Sequence, residues 1–200
     1  MTAVSLERRR TYHVGNVRGQ LLAAAREILQ ESGRAGLSLR AIADRAGVAP
    51  GTVYYHYADK AALLAGLAVD GFRQLAEAMR VAYDRRGADS GLRSTGFAYL
   101  SFLREKPELY ELMFEARDGA RREDVMGAEA EAIAVSRTAI MEDFVTQHSP
   151  ELAQKIAEAI WAWGRGIAAV SLSRARPGDG PEGETLESAV RGLEALIVGR

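Results

Sequence analysis

An all-α fold of about nine helices is what the chain predicts, because no stretch alternates apolar and polar residues in the two-residue period of a strand. Apolar residues instead recur at spacings of three and four over long runs. The breaks between runs carry glycine, proline or a capping serine or aspartate, the chemistry of helix ends.

Residues 1–12 have no apolar periodicity and include Arg8, Arg9 and Arg10. They fit either a solvated tail or a basic arm reaching phosphates or a minor groove. From about Asn16 to Ser32, Leu21, Leu22, Ala25, Ile28 and Leu29 keep helical spacing, and Gly33 is placed to stop that helix. Arg18 stands near its start, where a cation opposes the helix dipole unless an outside group such as a phosphate partners it.

Residues 38–60, SLRAIADRAGVAPGTVYYHYADK, predict two short helices joined by a tight turn at Gly47. Ser38 caps the first and Pro50 sits in the first turn of the second. Leu39, Ile42, Ala43 and Ala46 form one apolar face. In the second helix Val53 and Tyr57 share a side at i and i+4 and should point inward. Gly51, Thr52 and Tyr55 then lie about 160° to 260° around the helix from Val53, with Tyr54 and His56 on the flanks. A short helix with a small front and hydrogen-bonding aromatics on its shoulders suits the major groove of duplex DNA, where front residues reach base edges and flanking groups meet phosphates.

The series Gly47, Val48, Gly51, Thr52, Val53, Tyr54, Tyr55, His56, Tyr57, Asp59, Lys60, Leu63 and Leu64 closely resembles the helix-turn-helix signature of the TetR (tetracycline-repressor) family of transcriptional regulators. Tyr57 replaces the usual phenylalanine, which keeps the ring and adds a hydroxyl that needs a partner. The resemblance implies that Thr52 and Tyr55 lie near bases or adjoining phosphates, with Pro50 and Gly51 in van der Waals reach. It further implies that Ser38, Tyr54, His56 and Lys60 hold backbone phosphates and that Arg40 reads a base. Because the helix carries few charged groups, shape readout is expected to matter at least as much as direct contacts.

Asp59 is placed to cap a fourth helix, from about Lys60 to Arg86, with Leu63, Leu64, Leu67, Phe72, Leu75 and Met79 turned inward. Only Ala58 and Asp59 separate it from the presumptive reading helix, so movement at its far end must be felt there. After a polar break at 87–91, a fifth helix carries Phe97, Tyr99, Leu100, Phe102 and Leu103, and Pro107 opens a sixth with Leu109, Tyr110, Met113 and Phe114. The segment 98–114 also resembles a stretch common in the family's effector domains. Further helices are expected at about 124–147, at about 150–174 with a stripe of Leu152, Ile156, Ile160, Trp163, Ile167 and Val170, and at about 184–198 with Leu186, Val190, Leu193 and Ile197. The last two are rich in small residues that suit close packing, and the resemblance implies that this pair from each of two subunits builds a four-helix homodimer interface.

Composition bounds the function. Two hundred residues can bury a core without metal or disulfide help, and the absence of cysteine excludes a disulfide scaffold and a thiol nucleophile. No apolar run approaches a membrane span and the N-terminus lacks the apolar region of a signal peptide, so a soluble, cytoplasmic protein with no membrane partner is expected. Residues 1–60 carry nine Lys/Arg against five Asp/Glu, whereas the other 140 carry 17 against 22. A basic head on an acidic body fits DNA contact confined to one end.

His13, His56 and His148 are too scattered for a metal site, and the Gly-rich 178–183 lacks the strand of a nucleotide-binding loop. No catalytic constellation and no cofactor motif appears, and an enzyme is not expected. Tyr99, Phe102, Tyr110, Met113, Phe114 and Trp161 are candidates to line a small-molecule effector pocket, although each taken singly fits an ordinary core better. The run from Trp161, WAWGRGIAAV, resembles a pattern in one branch of the family, with Arg165 where that branch has histidine. Arg165 would serve a dimer ion pair or clamp an anionic ligand.

The sequence therefore leads to a DNA-binding regulator, most often a repressor in the family resembled. Residues 1–60 would bind a near-palindromic operator, and residues 61–200 would dimerise and sense an effector that releases it. An all-helical enzyme or small-molecule carrier without operator binding is the alternative, and an effector-free architectural DNA-binding protein is a second.

Overall fold

The computed structural model describes residues 16–116, 121–144 and 149–174, together with the helical positions Ser188, Arg191, Gly192 and Ala195. It contains eight bounded helices: α1 (Val17–Gly36), α2 (Leu39–Ala46), α3 (Pro50–His56), α4 (Lys60–Asp84), α5 (Gly91–Glu105), α6 (Pro107–Glu115), α7 (Arg122–Phe144) and α8 (Pro150–Arg174). No strand occurs among the described residues. Ser188, Arg191, Gly192 and Ala195 are exposed and belong to the stretch expected as a ninth helix, whose apolar positions Leu186, Val190, Leu193 and Ile197 lie outside the described residues. So do the basic N-terminal residues, His13, His148 and the loop at 178–183.

Local chemistry sets the helix ends. The Asn16 side chain accepts from the Gly19 N–H, Ser38 from Ala41, Asp59 from Ala62 and Ser90 from Arg93, each satisfying an N-terminal N–H that has no helical partner. Proline opens α3 and α6 at a position where its missing N–H costs nothing. Gly33 does interrupt α1, with φ 61° and ψ −166°, but one further turn follows to Gly36 before the chain turns extended at Leu37. Gly47 adopts φ 68° and ψ 33°, and its N–H and that of Val48 close α2 onto Ala43 and Asp44.

The long helix α4 is the hub of the described residues: α5, α6, α7 and α1 pack against it, and α8 packs on α7. Leu63, Leu67, Phe72, Leu75 and Met79 of α4 are buried as predicted, while Leu64 is half-buried. One continuous apolar cluster runs from Leu21 of α1 to Ala168 of α8, passing through Val53 and Tyr57 of the helix-turn-helix segment. A smaller cluster of Leu92, Ile140, Ala153 and Ala157 ties the start of α5 to α7 and α8.

In α8 the inward stripe differs from the predicted one. Ala153, Ala157, Trp161 and Ala168 are buried, whereas Ile156, Ile160, Trp163 and Ile167 are half-buried and Leu152 is 45% exposed. Ala153 and Ala157 pack with Ile140 of α7, and the larger residues stand about 100° around the helix from the buried line. Val170 lies outside the residues whose side chains are described.

Candidate functional site

The helix-turn-helix segment is fixed from beneath. Val53 and Tyr57 are 0% and 1% exposed, and the edge of the Tyr57 ring lies so near Gly66 of α4 that a Cβ there would fall 2.8 Å from it. The added hydroxyl of Tyr57 has its partner in Arg18, whose Nε donates to it at 3.3 Å while the guanidinium lies over the ring at 5.5 Å from the centroid. That contact ties Arg18 to α3 without supplying a counter-charge for its place at the start of α1.

Facing outward, Tyr55 is 86% and Tyr54 59% exposed, Pro50 and Gly51 are exposed, and Thr52 and His56 are half-buried. Open space surrounds the position a Cβ on Gly51 would take. The Tyr55 and His56 rings meet edge to face at 5.2 Å. Ser38, Arg40 and Lys60 are exposed, Ser38 and Lys60 at the first turns of α2 and α4. The Ser38 oxygen accepts at its cap, which leaves its hydroxyl hydrogen to donate elsewhere.

Charge at this end is more committed than the residue count implies. Arg26 pairs with Asp70 of α4, Arg34 with Glu115 of α6, and Arg45 with both Glu31 at 2.6 Å and Glu27 at 3.3 Å. Hydrogen bonding to Arg45 holds the Glu31 carboxyl below its ordinary range, and the same bond raises Arg45. Among the described residues, Arg18, Arg40 and Lys60 are the cations of residues 16–60 with no acidic partner.

In the remainder of the chain, four of the residues proposed to meet an effector, Tyr99, Tyr110, Phe114 and Trp161, form one aromatic cluster across α5, α6 and α8. Tyr99 stacks edge to face on Tyr110 and on Trp161, with centroids 5.9 Å and 5.7 Å apart, and Tyr110 meets Phe114 at 4.8 Å. The hydroxyls of Tyr99 and Tyr110 hydrogen-bond to each other in the interior. Burial pushes the Tyr110 hydroxyl up to about 12 and raises Tyr99 as well. Arg165 is exposed, with its guanidinium over the Phe114 ring at 4.6 Å. Phe102 and Met113 are buried in the core, Met113 beside Gly71 of α4.

A small apolar cavity lies between α5 and α8, offering about 50 Å³ to the centres of water-sized molecules. Of the proposed effector residues, Tyr99 and Trp161 line it, as do Trp163, Gly164 and Thr95, whereas Phe102, Tyr110, Met113, Phe114 and Arg165 do not. Glu129, 5% exposed, accepts from the Trp161 indole N–H at 3.4 Å and was not foreseen. Its signal is in the sequence: with Val125, Ala128 and Ala132 it forms an i, i+3, i+4, i+7 face, an acid on an otherwise apolar stripe.

The fold and the paired helices define a helix-turn-helix protein with an all-helical companion region. Residues 21–67 match the model of the bacterial regulatory proteins of the tetR family, and residues 92–196 match that of a tetracyclin repressor-like C-terminal domain. The chain belongs to the TetR family. It is 34% identical over 98 residues to YobS of Bacillus subtilis (strain 168), an uncharacterised HTH-type transcriptional regulator, covering 49% of this chain and 51% of that protein. It is also 34% identical over 105 residues to the HTH-type transcriptional activator FasR of Mycolicibacterium smegmatis, covering 49% of this chain and 45% of that one. The matches span about half the length of these curated relatives. Over nearly the whole chain, the fold matches the solved structure of a protein of unknown function from Rhodococcus sp. RHA1, with a TM-score of 0.75 and 29% identity, covering 92% of this chain and 96% of that one.

Proposed function

We propose that this protein is a homodimeric transcriptional regulator that reads duplex DNA with α3 and is released from a near-palindromic operator by a small-molecule effector. The observation that carries the reading is the two-sidedness of one seven-residue helix, in which Val53 is wholly buried and Tyr55, two positions on, is 86% exposed. No internal packing requires an aromatic there.

Thr52 and Tyr55 then address bases or adjoining phosphates, with Pro50 and Gly51 close enough for van der Waals contact. Ser38, Tyr54, His56 and Lys60 hold phosphates on the groove walls, and Arg40 reaches a base. Residues 61–200 dimerise through the last two helices and hold the effector, so that ligand and operator each weaken the other's binding. Repression is the expected sign, although FasR, a relative over half of this chain, is named an activator.

The test is binding of the full chain to the region upstream of its own gene, followed by gel shift at low and moderate salt. A saturable shift that Tyr55→Ala and Lys60→Ala weaken is expected. No shift at low salt, or variants that behave like the parent, would turn the assignment towards an enzyme or carrier built on the same fold. Equal affinity for unrelated duplexes would point to an architectural protein.

A further inference from the structure

The Tyr99 and Tyr110 hydroxyls carry two hydrogens between them and share one bond, so one hydrogen has no acceptor among the described residues. Both side chains are more than nine-tenths buried, at 7% and 4% exposure. A buried donor without an acceptor is costly and calls for a partner. The hydroxyl end of Tyr99 lies under Gly164 of α8, where an added Cβ would be 3.6 to 3.9 Å from it, and both residues line the cavity.

The next residue, Arg165, has no acidic partner among the described residues and rests its guanidinium on Phe114, whose ring also packs on Tyr110. Arg165 and Glu129 act on the hydroxyl pair in opposite senses, the arginine favouring negative charge there and the glutamate opposing it. Glu129 is engaged with the Trp161 indole. The Tyr99 end of the cavity thus offers a spare hydroxyl donor, with a guanidinium beyond it across the Tyr110 and Phe114 rings, while its walls are apolar.

We propose that Tyr99, Tyr110 and Arg165 form the head-group site for a small apolar monocarboxylate whose body lies in the cavity between Trp161 and Trp163. The carboxylate accepts from the spare phenolic hydrogen and from the guanidinium, which leaves the Phe114 face to meet it. The narrow cavity favours a flat or short body, and Trp163 and Ile160, two of its lining residues, are half-buried at the edge of α8. This rests on the effector-responsive reading above and names the chemical class of the effector.

The chain has two tryptophans, and both line the cavity, so their emission reports occupancy without any DNA present. The experiment titrates the full chain with benzoate, hexanoate, benzamide and benzylamine. Saturable changes with both carboxylates are expected, at least about tenfold tighter than with the amide, and none with the amine. Tyr99→Phe/Tyr110→Phe and Arg165→Met should each weaken benzoate by about tenfold or more while leaving helix content unchanged.

Amide or amine binding as tight as benzoate, absence of saturation by either carboxylate, or variants with parental benzoate affinity would each overturn the proposal. So would an Arg165→Met protein that becomes monomeric and still binds benzoate normally, since the arginine would then serve the subunit seam. Operator binding is measured separately. Failure of the titration with DNA binding intact sinks only the head-group site, whereas carboxylate binding without any DNA binding sinks the regulator and leaves a carrier.

Discussion

Arg18 Nε donates to the Tyr57 hydroxyl at 3.3 Å, joining the first turn of α1 to the residue that ends α3. The ring of Tyr57 is core and its oxygen is a tether. Tyr57→Phe should therefore cost only the hydrogen bond, about 0.5–1.5 kcal/mol in a urea melt. Tyr57→Ala should cost about 3–5 kcal/mol, because it empties a fully buried site. Equal losses for the two variants would mean that the ring contributes little to holding α3.

Gly66→Ala presses on the same ring from α4. The added carbon would fall 2.8 Å from Tyr57 Cε1, and with Val53 also packed beneath α3 the ring has little room to yield. A loss of about 1–3 kcal/mol is expected. Operator affinity should fall beyond what the unfolded fraction explains, as read by anisotropy well below the melting range.

At Gly47 the constraint is backbone rather than space, since nothing lies within contact of an added Cβ but φ is 68°. Gly47→Ala should destabilise by about 1–2 kcal/mol. Gly47→Asn should recover part of that loss, because asparagine tolerates the left-handed region. A steric cause would reverse this order, the larger asparagine being worse.

Thr52→Ala and Tyr55→Ala remove outward groups, so the midpoint of urea unfolding should stay where it is while operator binding weakens. Lys60→Ala should act through phosphate. The slope of log affinity against log salt should shrink by about 0.9 per subunit contact, or about 1.8 for a twofold-related pair. An unchanged slope would remove Lys60 from the interface.

At alkaline pH the buried tyrosine pair should set the limit of stability. Burial raises both hydroxyls above their unfolded values, Tyr110 to about 12, so between about pH 10 and 12 the unfolded chain has lost these protons while the native chain keeps them. Their contribution is complete below about pH 10 and is lost as pH rises towards the native value. Phenolate absorbance should show a late-ionising phase that coincides with loss of helicity, and Tyr99→Phe/Tyr110→Phe should remove that phase.

What the sequence made legible was whatever local chemistry controls. The caps at Ser38 and Asp59, the turn at Gly47, and the inward Val53 and Tyr57 against the outward Tyr55 all follow from spacing within a few residues. Partnerships between distant segments did not show. Nothing near Arg26, Arg34 or Arg45 in the chain says that three acid-bearing helices take up their charge, so the basic head looked more available than it is. In α8, large residues outweighed alanines in the apolar pattern, although closest packing selects the small ones. The cavity depends on how far α5 stands from α8, a distance that periodicity along either helix does not encode.

The joint between α3 and α4 is short and held at both ends. Just Tyr57, Ala58 and Asp59 intervene, and the two flanking residues are pinned, one by burial and one by its cap. Helix α4 is a lever arm of about 37 Å, so a tilt of about 5° pivoting at its far end would carry the α3 end by about 3 Å. The same tilt would move Phe72, midway along α4 and wholly buried, by about half as much, so the core must repack wherever α3 is displaced.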